Sequence, residues 1–373
     1  MVRDELEDKI LGCIAGAQVG SALGDPVEGW TVEEIEATYG WLDFLDSREE
    51  GGKELPPGTT EDGIERQKLQ ILSIIDHNGP ITSQELANTW LEYIDADMFG
   101  KDRGFLAGQQ DRIHFELIAA GIPPEDSGYH DAHPGRVGPH RASHPNGVVN
   151  ACYPRLAARY ALDIARLYQP PKGRGVTHRD PTYTIGLDWS AAVCAAIAAA
   201  MRPSATKASV VEAATDVVIP EVADAIAAGV EIGHDADDYE SLRNRFYEDF
   251  HGRSAHLGMN ISRANEIVPK SFGLFIYYDD DVREVMEGAA NFGRDTDCLC
   301  ALAAGFMGAF VGSETIPNAW IEQVDEAAAS SYEKGATCTD MALANQAAGL
   351  YEATRANHDQ LTAGGNALAR MVD

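Results

Sequence analysis

Apolar residues recur at helical spacing along nearly the whole chain. Alternating β-branched runs are essentially absent, so the pattern predicts an all-α protein. Two segments carry small residues instead of a one-sided apolar stripe. Residues 10–24 place Gly12, Gly16, Gly20 and Gly24 four apart, with Ala15, Ala17 and Ser21 between them. Residues 299–312 have the same character, with Gly305, Gly308, Ala309 and Gly312. Four-residue spacing gathers the glycines on one helix face, and each glycine costs about 1 kcal/mol against alanine in a helix interior. Repetition at that cost predicts two helices whose backbones cross in contact.

The remaining elements follow from spacing and caps. Thr31-Val32-Glu33-Glu34 and Thr82-Ser83-Gln84-Glu85 read as helix starts. Helical spacing runs from Ile64 to Ile75, from Pro154 to about Leu167 and from Tyr183 to Met201, and over 207–230, 239–250, 262–278, 281–290 and 317–330. Residues 46–58 read as loop. So does the Gly/Pro/His-rich stretch 121–147, which holds His130, His133, His140 and His144. Zinc sites show tighter ligand pairs, commonly with cysteine, so a ligand-binding or salt-exposed loop is the better reading. The expected architecture is one compact multi-helix domain over 1–373 rather than a repeat solenoid.

Composition narrows the partners. A hydrophobic content of 45% supports a large core, and 59 acidic against 29 basic residues give a net charge of −30. Such a surface repels nucleic acid and anionic membranes. The acidic excess suggests a halophilic setting, in which salt screens self-repulsion. The six cysteines are scattered without paired C-x-x-C units and read as small core residues. The N-terminus lacks a signal-like basic start and apolar run, and the small-residue runs at 10–24 and 299–312 fall short of a membrane span. The expectation is a soluble, cytoplasmic protein.

Candidate chemistry lies at helix ends. Gly24-Asp25-Pro26-Val27-Glu28-Gly29 puts Asp25 and Glu28 at a helix C-terminus, against its dipole. Such a local conflict points to function, with solvated turn charges as the alternative. Thr60-Glu61-Asp62 and Asp295-Thr296-Asp297 each precede a helical run. Each is either a plain cap or a set of hard oxygen ligands for Mg²⁺. Together the two starts could build one cation site.

The order of these features resembles the ADP-ribosylglycohydrolase family. The likeness rests on Gly16 to Glu28, Thr60-Glu61-Asp62, Asn146-Gly147 with Pro154, Thr177-His178 before an alanine-rich helix, and Gly293 to Cys298. It spans about residues 10–317, leaving 318–373 as a C-terminal helical extension. The resemblance implies a compact α-helical fold and two Mg²⁺ ions held by Thr60, Glu61 and Asp62 on one side and Asp295, Asp297 and Cys298 on the other. It implies hydrolysis at the anomeric carbon of an ADP-ribosylated protein or a small ribosyl or nucleotide substrate, with Glu61 and Asp62 as the catalytic carboxylates. Glu28 would sit at the cleft, Asn146, Gly147 and Val148 would meet a diphosphate, and His178 would border the nucleotide.

The chain departs from the family pattern at Glu61 (usually Asp), Cys298 (usually Thr) and Arg294 (usually Gly). Asn150-Ala151 stands where Met-Arg is usual. A thiol at 298 implies either a weak or absent second ion or a softer one such as Mn²⁺, and Arg294 would offer a cation to phosphate. A catalytically silent, crystallin-like binding relative and another divalent-metal hydrolase, such as a phosphoester hydrolase, are the alternative functions.

Overall fold

The computed structural model describes residues 3–50, 53–94, 96, 109–131, 134–171, 186–251, 261–332 and 342–372. The described residues are predominantly helical. In chain order the helices are α1 (Glu5–Gly24), α2 (Val32–Tyr39), α3 (Asp62–His77), α4 (Ser83–Tyr93), α5 (Gln109–Ala119), α6 (Pro124–Ser127), α7 (Gly138–Arg141), α8 (His144–Val149) and α9 (Pro154–Tyr168). They continue as α10 (Leu187–Ala200), α11 (Lys207–Thr215), α12 (Pro220–Asp235), α13 (Tyr239–Phe246), α14 (Ala264–Tyr277), α15 (Val282–Ala290), α16 (Thr296–Val311), α17 (Asn318–Tyr332) and α18 (Leu343–Val372).

Three helices that are apolar or small all round occupy the interior, as such helices must. In α1 every residue from Lys9 to Gly24 is buried, and α10 and α16 are buried over nearly their whole lengths. The pair α1–α16 is the most extensive among the described residues, and the glycine stripe is its cause. A Cβ on Gly16 would lie 2.5 Å from the carbonyl oxygen of Ala304, one on Gly20 2.8 Å from that of Cys300, and one on Gly24 2.5 Å from that of Thr296. The two backbones therefore touch, and only glycine fits along the seam. The same device recurs where Gly229 and Gly233 of α12 meet the carbonyls of Pro269 and Gly273 in α14.

Helix α1 is longer than its small-residue core suggests, because Asp4 caps it by accepting from the Glu7 N–H at 2.9 Å. With the turn that follows, residues 5–27 are long and apolar enough to cross a membrane. However, 94% of the apolar window lies inside the protein, so its apolar surface is spent on α16.

Several expectations change on folding. The segment 46–58 contains a small antiparallel pair, β1 (Arg48–Glu50) with β2 (Lys53–Leu55), Arg48 standing opposite Leu55. The stretch over 207–230 splits at Pro220, which begins α12. The described parts of the His-rich stretch 121–147 fold as short helices, with Pro124, Pro139 and Pro145 at first-turn positions where the missing N–H costs nothing. His140 and His144 are buried there, and burial pushes their pKa values down to about 3 and about 4. Both are neutral interior imidazoles, bonded to Ser190 Oγ (2.7 Å) and to the Arg141 carbonyl (2.6 Å). His133 lies outside the described residues.

Helix α18 is built into the core rather than appended to it. Gln346 bonds Gln18 (2.7 Å), and Asn357 donates to the Val149 carbonyl (2.8 Å). Burial ends at Asn357, and residues 358–371 are exposed.

Candidate active site

The α1–α16 crossing brings the Asp25–Gly29 turn against the Gly293–Cys298 turn. The Gly29 N–H donates to the Arg294 carbonyl at 2.6 Å, the Arg294 N–H to Trp30 at 2.8 Å, and Thr296 Oγ1 to Gly24 at 2.7 Å. Gly293 and Arg294 both have left-handed φ, +76° and +68°. That backbone reverses the chain sharply enough to point Asp295 inward at the start of α16. Asp295 caps no N–H of its own helix, so the plain-cap alternative fails for it.

Asp295, Asp297 and Cys298 are 0%, 1% and 5% exposed. Neither oxygen of Asp295 has a hydrogen-bond donor, nor has Oδ1 of Asp297. An ionised carboxylate buried without a partner is costly. Burial first, and then repulsion from Asp297, hold Asp295 well above the usual carboxylate range. One ligand atom from each of Asp295, Asp297 and Cys298 lies within 4.8 Å of the others. Orphaned oxygens in such a set fit a divalent cation.

The second acidic motif approaches from α3. Glu61 is the N-cap and accepts from the Gly63 N–H at 3.1 Å, so here the capping reading holds. Thr60 is half-buried just before it. Both Glu61 and Asp62 are engaged by a residue that sequence reasoning missed, Arg141 of α7. Its guanidinium is buried and reaches Asp297 Oδ2 from Nη1 (2.6 Å), and Asp62 Oδ1 (3.3 Å) and Glu61 Oε1 from Nη2. Asp62 also takes Arg66 at 2.7 Å, and Arg66 forks onto the buried Asp111 (2.9 and 2.6 Å). The sequence does carry one signal for Arg141. Gly63 directly follows the motif, and any Cβ there would collide with the guanidinium.

The Glu28 carboxylate has no hydrogen bond or ion pair among the described residues. Repulsion from Asp297, and then burial, push its pKa up to about 7. Asp25 instead pairs with Arg48 at 2.6 Å. The sign of the linkage follows. Folded Glu28 holds its proton up to about 7, whereas the unfolded value is 4.5. Its stabilising contribution is therefore full below about pH 4.5 and lost as pH rises through about 7. Asp295 and Asp25, both raised by burial, act in the same sense. Cation-free protein is expected to melt at progressively lower temperature between about pH 5 and pH 8, more shallowly in Glu28→Gln. A flat profile in thermal unfolding with chelator would contradict this charge arrangement.

Other expected site residues lie elsewhere. Arg294 is not a free phosphate-binding cation. Its Nε and Nη2 clamp Glu266 (2.7 and 3.0 Å), which also holds Lys270 at 2.7 Å. Asn146, Gly147 and Val148 lie in buried α8 and cannot face a diphosphate in this arrangement. Asn146 bonds Gln70, Gly147 packs on Ile197, and the Val148 side chain has no exposure. His178 falls outside the described residues. A cavity of about 550 Å³ lined by Cys152, Tyr153, Arg202, Glu212 and neighbours includes none of the acidic cluster.

Comparison with known proteins agrees with this framework. The sequence profile of the ADP-ribosylglycohydrolase family matches residues 2–359, ending just past Asn357, where burial ends. The match therefore takes in α17 and the buried part of α18, beyond the expected limit at 317. An uncharacterized protein of Archaeoglobus fulgidus is 27% identical over 329 residues, 85% of this chain and 92% of that one. The uncharacterized protein YegU of Escherichia coli is 24% identical over 347 residues, 88% and 96% of the two chains. The solved structure of an "ADP-ribosylglycohydrolase-related protein complex" superposes with a TM-score of 0.59 over 94% of this chain and 99% of that one, at 19% identity, and shares the fold. With a profile match over nearly its whole length, the chain belongs to the ADP-ribosylglycohydrolase family.

Proposed function

We propose that the protein is a divalent-cation-dependent glycohydrolase that cleaves the N- or O-glycosidic bond of an ADP-ribosyl or related ribosyl substrate. The observation that carries this reading is the juxtaposition of orphaned, buried carboxylate oxygens on Asp295 and Asp297 with an unpaired Glu28. Asp295, Asp297 and Cys298 would hold the cation, which would supply Lewis acidity. The Cys298 thiol favours an ion softer than Mg²⁺, such as Mn²⁺. Glu28 is the group suited to moving a proton at the reacting water. Its carboxylate is free of the guanidinium bonds that occupy Glu61 and Asp62, which leaves it able to exchange a proton with water. Glu61 and Asp62, held by Arg141 and Arg66, have acceptor positions already committed. They serve to orient the cluster rather than to take the proton.

The test is release of ADP-ribose from ADP-ribosyl-arginine and ADP-ribosyl-serine peptides with Mg²⁺ or Mn²⁺, repeated with chelator. Turnover that disappears on chelation is expected. Glu28→Gln is expected to lower kcat by about 10²–10⁴-fold with Mn²⁺ binding retained. A second reading, a catalytically silent binding relative, draws support from Arg141, which already neutralises part of the cluster. Cation binding without turnover of any ribosyl substrate would select it.

A further inference from the structure

The two acidic motifs meet around a guanidinium. Arg141 is 1% exposed and bonds carboxylates from both sides, Asp297 on α16 and Asp62 and Glu61 at the start of α3. Its backbone is fixed as well, since the carbonyl of Arg141 meets His144 Nδ1 at 2.6 Å. The absence of a side chain at Gly63 leaves the room the guanidinium fills. Arginine keeps its charge at any accessible pH, and its planar fork suits several carboxylates at once. Glu61 and Asp62 are thus neutralised from within the chain, and Asp62 is neutralised twice, by Arg141 and by Arg66. The other half of the cluster is not. Asp295 is wholly buried with both oxygens unpartnered, and Asp297 keeps Oδ1 free while Oδ2 serves Arg141.

We propose that Arg141 is a built-in cation that joins the two acidic motifs and limits the cluster to a single divalent ion, held by Asp295, Asp297 and Cys298. A second ion placed between the α3 motif and Asp297 would share its ligands, and its position, with a buried guanidinium of like charge. Arg141 acts here as a positioning residue. Its fork holds Asp297 Oδ2 and leaves Oδ1 without a donor, available to a ligand.

This inference rests on reading the cluster as a cation site and not on the glycosidic reaction. The metal-stripped full chain should be titrated with Mn²⁺ in the absence of substrate, the bound ions counted, and the electron paramagnetic resonance spectrum recorded. One Mn²⁺ per chain with an isolated six-line signal is expected. Two ions with an exchange-coupled spectrum, or no bound ion, would overturn the inference. Arg141→Gln is expected to admit a second, coupled ion, and Arg141→Lys to keep the count at one. A folded Arg141→Gln chain that still takes one ion overturns the role of Arg141; should that variant fail to fold, the wild-type count decides. A two-ion result leaves the glycohydrolase reading intact, and failure to release ADP-ribose leaves the ion count intact.

Discussion

Asp297→Ala is expected to abolish both divalent-cation binding and ADP-ribose release while leaving the helical fold in place. Asp297 is the carboxylate that meets both Arg141 and the Asp295–Cys298 set. Oδ2 takes Arg141 and Oδ1 is unpartnered beside Asp295 and Cys298. Removing it leaves only Asp295 and Cys298 of the three ligating side chains. Lewis-acid stabilisation by a bound ion is worth several kcal/mol, so losing it lowers the rate by about 10³-fold or more. Circular dichroism, Mn²⁺ titration and the ADP-ribose assay on the same preparation read the three quantities separately. Unchanged turnover in the folded variant would remove this cluster from the reaction.

Gly16→Leu is expected to disrupt the fold strongly. A leucine there must displace the α16 backbone, because even its Cβ would stand 2.5 Å from Ala304 O and 2.9 Å from the Ala304 carbonyl carbon. Overpacking against side chains costs about 1–3 kcal/mol and occasionally more, and here the obstacle is backbone, which cannot rotate away. The expected result is failure to accumulate folded protein, or a melting temperature lowered by about 10 °C or more. Activity should be lost even in the folded fraction, since the Asp25–Gly29 and Gly293–Cys298 turns are joined through this crossing. Gly364→Ala is the control. Nothing lies within 4 Å of that position on the exposed end of α18, so the exchange should be neutral or slightly stabilising. Equal melting temperatures for the wild type and Gly16→Leu would refute the backbone-contact account.

The helical class, the two glycine-faced helices and the caps at Thr31 and Thr82 were legible because each depends on residues within a turn or two of one another. Helical period and capping chemistry are local. A glycine stripe states its own purpose, since nothing but close packing repays four glycines in one helix. The acidic ends of these helices were legible for the same reason. Local reading failed where structure depends on a distant partner. The stretch 121–147 looked like a loop because four-residue helices have no period to detect, and their prolines read equally well as breakers. Arg294 looked like a cation available to phosphate, yet Glu266, 28 residues away, claims it.

By itself, then, the sequence determined an all-α chain with two bare-faced helices and carboxylates at their ends, because period, caps and glycine cost are properties of neighbouring residues. Only the tertiary structure decided how that charge is balanced. Whether Asp295, Asp297, Glu61 and Asp62 face water, one another or a guanidinium depends on which side chains the packing brings within a few ångströms and on how little water remains between them, and in a buried site that separation and dryness set the interaction. Arg141 lies 79 residues from Asp62 and 156 from Asp297. No spacing rule connects them until α3, α7 and α16 are packed together.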